Sequence, residues 1–216
     1  AAEKSSRNQP SVSASGLEGT EPEIALEEDA VDPGLAKGAR DIDLPAWSKG
    51  RYGTAIGRAV HAVLQAVDLS AGHETDYQHD GLVGLVAAQC VAEGVPGTEQ
   101  LVADLVGSAL AAPIVRRAAA RQHWRETYAG TVQDDGTLLE GFIDLVFRDD
   151  DDTLVVVDYK TDAVPGAALP ARAEFYRPQL TAYCQMLTAA TGARTRGVLV
   201  FLTPAEAVEV EVPVPG

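Results

Sequence analysis

The first half of the folded part of the chain has apolar residues at helical spacing. Over residues 54–67 they recur every three or four positions, which predicts an amphipathic helix. Segments 81–93 and 98–110 have a similar apolar content and also predict helices. Pro113 suits the first turn of a fourth, short and basic helix, because its missing N–H would be unpaired there anyway. This half is therefore predicted to be helical.

From residue 122 onward the pattern changes to alternation and short apolar runs, which predict β-strands. The predicted strands lie at 123–132, 137–148, 153–160, 195–202 and 207–214. A helix is predicted over 171–190, with Pro178 as an irregularity inside it and Gly192 as its end. The order of elements predicts an α/β fold, a mixed β-sheet flanked by helices with a helical segment on its N-terminal side.

Residues 1–44 differ from the rest because they are rich in Ser, Gly, Pro and Glu and have no apolar period. We expect this segment to be a linker or tail, extended and able to lean on the domain, which is predicted to span 45–216. The chain begins without an apolar stretch typical of a signal peptide, and it has no run of roughly 20 apolar residues as a membrane helix requires. A cytoplasmic, non-membrane protein is expected.

Composition narrows the function classes. The net charge is -15, from 17 basic and 32 acidic residues, which opposes generic binding of nucleic acid without excluding it. The two cysteines, Cys90 and Cys184, are too few for a disulfide scaffold, a four-cysteine zinc site or an iron–sulfur cluster built from this chain.

Charged residues at the end of the third strand are the first sign of chemistry. Asp158 and Lys160 are two residues apart, so their side chains project from the same face. Asp144 lies about as far before the turn at 149–152 as Asp158 lies after it, which predicts that the two carboxylates are close. Adjacent carboxylates repel unless a cation lies between them, and Mg²⁺ with a lysine beside it suits phosphodiester hydrolysis. The alternative is a plain Asp–Lys ion pair at a strand end.

Three segments, GFIDLVF, LVVVDYKTD and YRPQLTAYCQML, together resemble the RecB-like nuclease branch of the PD-(D/E)XK superfamily, found in bacterial helicase–nucleases. The resemblance covers about residues 50–203. The matching positions, in the order of the family's motifs, are Gly57, His61, Glu126, Gly141, Asp144, Asp158, Tyr159, Lys160, Thr161, Gln179 and Tyr183.

The resemblance also implies roles for individual residues. It implies a Mg²⁺ or Mn²⁺ ion bound by His61, Asp144, Asp158 and the Tyr159 backbone carbonyl. It implies catalytic roles for Asp144, Asp158, Lys160, Glu126, Gln179 and Tyr183. The predicted DNA contacts are Gln179, Tyr183 and Arg121.

Each assignment has a plainer alternative. His61 could be a core histidine, Glu126 an exposed strand residue, and Gln179 with Tyr183 a helix face packed on the sheet. The basic cluster contacts phosphates or offsets nearby acids, and sequence does not choose between them; its members are Arg116, Arg117, Arg121 and Arg125. The aspartates at 149–152 are interpreted as a solvated hairpin tip.

The resulting prediction is a Mg²⁺-dependent, exonuclease-type DNA nuclease domain that acts on single strands in DNA end processing and repair, in the nucleoid-containing cytoplasm. No G-x-x-x-x-G-K-[ST] motif occurs in the chain, so a helicase motor is expected elsewhere in the natural chain or in a partner subunit. The alternatives are a non-cleaving module of the same fold that binds DNA ends or a partner protein, and a hydrolase of another phosphodiester.

Overall fold

The computed structural model describes residues 11–20, 53–70, 80–162 and 166–213. Most of the predicted tail at 1–44 and the predicted domain start at residue 45 lie outside these ranges. Within the described residues, none of the helices is both long and apolar enough to cross a membrane.

The part of the chain that the structure describes contains five α-helices, close to where the periodicity predicts them. They are α1 (Ala55–Ala66), α2 (Asp80–Ala92), α3 (Glu99–Ala111), α4 (Pro113–Ala119) and α5 (Leu169–Thr191). The Thr54 side chain caps α1 by accepting a hydrogen bond from the Gly57 N–H. Gly192 ends α5 in the left-handed conformation, with a φ of 71° that glycine adopts without strain.

Six strands of the described residues form one mixed sheet, which confirms the predicted fold class. They are β1 (Ser11–Ser13), β2 (His123–Val132), β3 (Leu138–Arg148), β4 (Leu154–Lys160), β5 (Thr195–Leu202) and β6 (Ala207–Val212). The pairs β2–β3, β3–β4 and β5–β6 are antiparallel, whereas β4–β5 and β1–β3 are parallel.

Helices cover both faces of the sheet, and each face has its own apolar core. Helices α1 to α4 pack on one face, which receives Val155, Val157 and Tyr159 of β4. Helix α5 packs on the other face, which receives Leu154 and Val156. Because strand side chains alternate, the two faces are filled by successive residues of the same buried strand.

Strand β3 shares one of its edges between two partners, and this creates an opening in the sheet. Strand β2 pairs along nearly the whole of the other edge of β3. On the shared edge, β4 pairs only with residues 145–148, and β1 pairs only with residues 138–140. The sheet therefore opens between β3 and β4 just before residue 145.

Residues 11–20, which the sequence places in the tail, lean on the domain as an extended segment can. Strand β1 extends the sheet, and the Ala14 side chain is fully buried in the core beneath α5. The Gly19 N–H donates to the Phe175 carbonyl of α5.

The interpretation of residues 149–152 as a solvated hairpin tip is wrong for Asp149. This residue is only 8% exposed, and its carboxylate accepts hydrogen bonds from Arg117 and Arg196. Arg121 pairs with the next residue, Asp150, with 2.6 Å between Nη2 and Oδ2. Much of the basic cluster thus offsets nearby acids, and the hairpin end is tied to α4 and β5.

Candidate active site

Asp144 lies at the opening between β3 and β4. Its Oδ2 accepts a hydrogen bond of 2.7 Å from the Tyr159 backbone N–H, across the gap that regular pairing would otherwise close. Its Oδ1 lies 3.1 Å from Nδ1 of His61, on α1. One carboxylate therefore connects the central strand β4 with the helix above it.

Helix α1 reaches this position because Gly57 has no side chain. A Cβ at Gly57 would lie 2.8 Å from Oγ1 of Thr161, the residue that follows β4, which is closer than real Cβ contacts. His61 is one turn further along α1, so it lies on the same side of the helix. The close approach of α1 to the end of β4 is what brings the imidazole to Asp144.

The backbone of β2 is unusual at Glu126, opposite Asp144. Glu126 has a φ of 47°, which is uncommon for any residue other than glycine and carries an energetic cost. Strand β3 is irregular at the same level. Residues two apart on a regular strand face the same side, but Ile143 packs in the core beneath α5 whereas Leu145 packs in the core beneath α1 to α4. The two strands thus depart from simple alternation together, and both acids line the pocket.

His61, Glu126 and Asp144 form a cluster in which one ligand atom from each residue lies within 4.8 Å of the others. Burial raises the pKa of Glu126 to about 6, and the Asp144 charge acts in the same direction. Burial lowers the pKa of His61, but the Asp144 carboxylate more than compensates and raises it above its ordinary value. In turn, His61 and the Tyr159 N–H overcome the effect of burial and lower the pKa of Asp144.

Asp158 and Lys160 face α5, as the alternation predicts. Continuing the β3–β4 register by one residue beyond Leu145 places Asp144 opposite Asp158. Burial raises the pKa of Asp158; Lys160 opposes this and Asp144 adds to it. Asp158 Oδ2 forms an ion pair with Lys160 Nζ at 2.7 Å, but the two groups are not aligned for a hydrogen bond. This buried carboxylate oxygen has no hydrogen-bond partner among the described residues.

Gln179 and Tyr183 of α5 hold Lys160 through a chain of hydrogen bonds. Lys160 Nζ donates to Gln179 Oε1 at 2.9 Å, and Gln179 Nε2 donates to the Tyr183 hydroxyl at 3.3 Å. The Tyr183 hydroxyl also lies 3.3 Å from Oγ of Ser15, in the N-terminal segment. Gly141 leaves room for this tyrosine, because a Cβ there would lie 2.9 Å from the Tyr183 ring.

A second set of buried side chains supports Lys160, and none of these side chains has a role in the sequence-based prediction. Asp162 accepts hydrogen bonds from Arg172 Nε and from the Tyr176 hydroxyl. The Tyr176 ring lies under the lysine, with 4.0 Å from Nζ to the ring centroid, which favours the cation. The sequence did contain a signal for these residues, because they lie in the segments that carry the family resemblance: Asp162 ends LVVVDYKTD and Tyr176 begins YRPQLTAY.

These groups line one open pocket of about 550 Å³. It contains His61, Glu126, Asp144, Asp158, Tyr159, Lys160, Gln179 and Tyr183. Arg121, the remaining predicted site residue, lies by the hairpin at the other end of β4, about 20 Å from Lys160 by strand length. The structure therefore places the predicted DNA contact Arg121 apart from the pocket.

The residues of the pocket fit a divalent metal ion. Two carboxylates and an imidazole form the cluster of His61, Glu126 and Asp144; Asp158, which is not among the three, lines the same pocket and has a buried oxygen in an ion pair with Lys160 but not in a hydrogen bond. Oxygen donors with one imidazole suit Mg²⁺ or Mn²⁺. The two buried cysteines, Cys90 and Cys184, are on α2 and α5 and do not line the pocket.

The sequence of the chain is similar to those of known nucleases. A family model described as the PD-(D/E)XK nuclease superfamily matches residues 39–214. The chain is 32% identical over 189 residues to an ATP-dependent helicase/nuclease subunit of Desulforudis audaxviator (strain MP104C). That match covers 80% of this chain but spans only 15% of the relative. The solved structure of SSO0001 aligns over 74% of this chain and 67% of its own, with 18% identity and a TM-score of 0.38.

Proposed function

The chain belongs to the PD-(D/E)XK nuclease superfamily, and from that premise we propose that it is a metal-dependent deoxyribonuclease domain acting on single-stranded DNA. The observation that carries the proposal is that Asp144, Asp158 and Lys160 line one pocket where β3 and β4 separate. His61 and Glu126 lie across the same opening.

We assign the metal to His61, Asp144, Asp158 and the Tyr159 carbonyl, with Glu126 beside them. A divalent ion at this position would supply Lewis-acid polarisation of the phosphoryl group. The raised pKa of Asp158 supports the assignment, because the buried carboxylate gains most from a nearby cation. Mg²⁺ and Mn²⁺ both suit this donor set.

Lys160 is positioned to act on the substrate. An ammonium group has three N–H donors, and Gln179 and Asp158 occupy two directions around it. A third N–H can point at a phosphoryl oxygen and stabilise the negative charge that develops there when water attacks phosphorus. Gln179 and Tyr183 are positioning residues in this assignment, because they touch Lys160 or each other.

Glu126 is suited to accept the proton that the attacking water loses. Its pKa of about 6 is close to neutral pH, where a carboxylate of this strength is both ionised and basic enough to take part in proton transfer. In the hydrolysis, the water oxygen forms a bond to phosphorus, and the bond between phosphorus and the leaving sugar oxygen breaks. The leaving oxygen is protonated from solvent.

The wider context of the proposal is a helicase–nuclease that processes DNA ends in the bacterial cytoplasm. The similarity to a helicase/nuclease subunit supports it, although this chain spans a small part of that protein. The net charge of -15 also supports this context, because a domain with this charge attracts a polyanion poorly by itself. The DNA strand would then be delivered to it by another part of the helicase–nuclease.

The test is cleavage of end-labelled single-stranded and duplex DNA with Mg²⁺, with Mn²⁺ and with EDTA. We expect cleavage of the single strand only with metal, and a loss of about 100-fold or more in Lys160→Ala. Asp134→Asn, in the exposed turn before β3, is the matched control and should cut like the parent. If the parent binds single-stranded DNA but cuts neither substrate under any of these conditions, the chain is a non-cleaving module of the same fold.

A further inference from the structure

Two exposed aromatic side chains lie at the rim of the pocket. Tyr128 of β2 and Phe142 of β3 are direct partners in the antiparallel register, and they are 54% and 58% exposed. Their ring centroids are 5.6 Å apart with the planes at 63°. Both side chains line the pocket that contains the acids. We call Tyr128 and Phe142 the aromatic pair; aromatic side chains are typical of the lining of ligand-binding pockets.

The aromatic pair is held in place before any ligand arrives. The Tyr128 hydroxyl donates a 2.9 Å hydrogen bond to the Glu140 carboxylate. A Cβ on Gly130 would lie 2.9 Å from the same hydroxyl, so the tyrosine lies over a position that has no side chain. The Phe142 ring then packs against the tyrosine. A ring fixed in this way loses little conformational entropy when something stacks on it.

The aromatic pair directly continues the acidic part of the site. Glu126 and Asp144 lie at the level between the pairs Arg125–Leu145 and Thr127–Ile143, with ligand atoms within 4.8 Å of each other, and Tyr128 and Phe142 are a pair two residues further along each strand. Two residues of a strand span about 7 Å. A strand of DNA with a phosphate at Asp144 would therefore place a neighbouring base at the aromatic pair.

We propose that the aromatic pair stacks an unpaired base next to the phosphate that is cut, and that this selects single-stranded DNA. The inference rests on the proposed nuclease function and adds a specificity-determining contact to it. Every base has a π face, so aromatic stacking accepts any sequence, but bases inside a duplex are already stacked on their neighbours. A duplex therefore cannot use this contact without unpairing.

The charges around the pocket favour stacking as the means of holding the strand. Among the residues that the structure describes, the basic ones that line the pocket are Arg58 and Lys160, whereas six acidic ones line it: Glu18, Glu126, Glu140, Asp144, Asp158 and Asp162. Neutralisation of phosphates by basic side chains is the usual source of DNA affinity, and here it is weak. Stacking needs no positive charge, so it offers affinity that an acidic pocket can provide.

The experiment measures equilibrium binding of a fluorescent single-stranded oligonucleotide to the 216-residue chain carrying Lys160→Ala, in Mg²⁺, so that the DNA stays intact. We expect Tyr128→Ala and Phe142→Ala each to weaken binding by about fivefold to a hundredfold. Phe142→Leu, which keeps apolar area but loses the ring, should also weaken it. Val132→Ala, on the same strand and 58% exposed, is the matched control and should bind normally.

An abasic scan of the oligonucleotide identifies the stacked base. An abasic site at one position should weaken binding to the Lys160→Ala chain by the same factor as Phe142→Ala does with the intact strand. The Phe142→Ala variant should bind the abasic strand as tightly as it binds the intact strand. Duplex affinity should change by less than about twofold in every variant, since stacked bases do not reach the rings.

The results separate this inference from the proposed function. For cleavage, Tyr128→Ala and Phe142→Ala are also made in the chain that keeps Lys160. If this chain cuts single-stranded DNA, and the aromatic variants cut like it and bind as tightly as the Lys160→Ala chain, the stacking role is wrong while the nuclease assignment stands. The aromatic pair would then be assigned to a protein contact. If the parent chain neither binds nor cuts DNA, the nuclease function fails and the stacking role fails with it.

Discussion

Gly57→Ala tests whether the site depends on the close approach of α1 to the end of β4. The added Cβ would lie 2.8 Å from Thr161 Oγ1 and 3.2 Å from Thr54 Oγ1. Ordinary contact begins at 3.4 Å, so α1 and Thr161 must move apart by several tenths of an ångström. Because His61 is one turn along the same helix, this movement also changes the distance between His61 and Asp144.

Two effects of opposite sign determine the change in stability. Overpacking in a tightly packed interior costs about 1–3 kcal/mol. Alanine in a helix is favoured over glycine by about 0.8–1 kcal/mol, which offsets part of that cost. The net free energy of unfolding should therefore fall by at most about 2 kcal/mol, and the single variant alone does not isolate the contact.

A double-mutant cycle with Thr161→Ala isolates the contact. Thr161→Ala removes Oγ1, so Gly57→Ala should lower the free energy of unfolding by less in the Thr161→Ala chain than in the parent. The helix-propensity gain of alanine is the same in both chains, so it cancels from the difference. Urea denaturation should give a coupling of about 1–3 kcal/mol. Thr161→Val, which keeps the shape of the side chain, is the control and should rescue nothing. A coupling below about 0.5 kcal/mol would show that the close approach does not require glycine.

Three further predictions concern charge. Asp149→Asn should lower the free energy of unfolding by about 1–3 kcal/mol, because it weakens the hydrogen bonds from Arg117 and Arg196. It should leave DNA cleavage unchanged, and denaturation and cleavage assays on the same variant check both expectations. Mn²⁺ affinity, measured by calorimetry, should rise as the pH is raised through about 6 and beyond, because ionisation of Glu126, with a pKa of about 6, adds a negative charge beside the metal and because His61, whose pKa is raised, must lose its proton to bind a cation; a flat profile would contradict this. Cleavage of single-stranded DNA by the chain alone should fall by no more than about tenfold between about 50 and 200 mM salt, because Arg58 and Lys160 are the basic side chains that line the described part of the pocket and few phosphates are neutralised there; a fall of about a thousandfold would contradict the charge argument.

The pairing of β3 with β4 could be predicted from sequence because it is local. The turn at 149–152 sets the register, and alternation then places Asp158 and Lys160 on one face. Counting outward from the turn also predicts Asp144 opposite Asp158, one residue beyond the last observed pair of these strands, Leu145 with Val157. The place of His61 came from the resemblance alone, because a histidine among apolar residues is usually a core residue and nothing in α1 itself indicates the distant strand.

Other parts of the site depend on contacts between distant segments. The positive φ at Glu126 is invisible in a sequence that alternates as a regular strand does. Strand β1 comes from a Ser-rich segment with no apolar period, and its pairing with β3 joins residues more than a hundred positions apart. Asp149 was interpreted as solvated because local composition cannot show that Arg117 and Arg196 bind it.

The central claim is that acids from β3 and β4 hold a divalent metal beside which Lys160 acts. The most direct test is calorimetric titration of Mn²⁺ into Asp158→Ala and Lys160→Ala, with cleavage of single-stranded DNA measured on the same samples. We predict that Asp158→Ala binds Mn²⁺ at least about tenfold more weakly and does not cut. Lys160→Ala should bind Mn²⁺ as the parent does but should not cut, because it supplies no ligand to a cation. Parent-like Mn²⁺ affinity in Asp158→Ala, or near-normal cleavage in Lys160→Ala, would contradict the account.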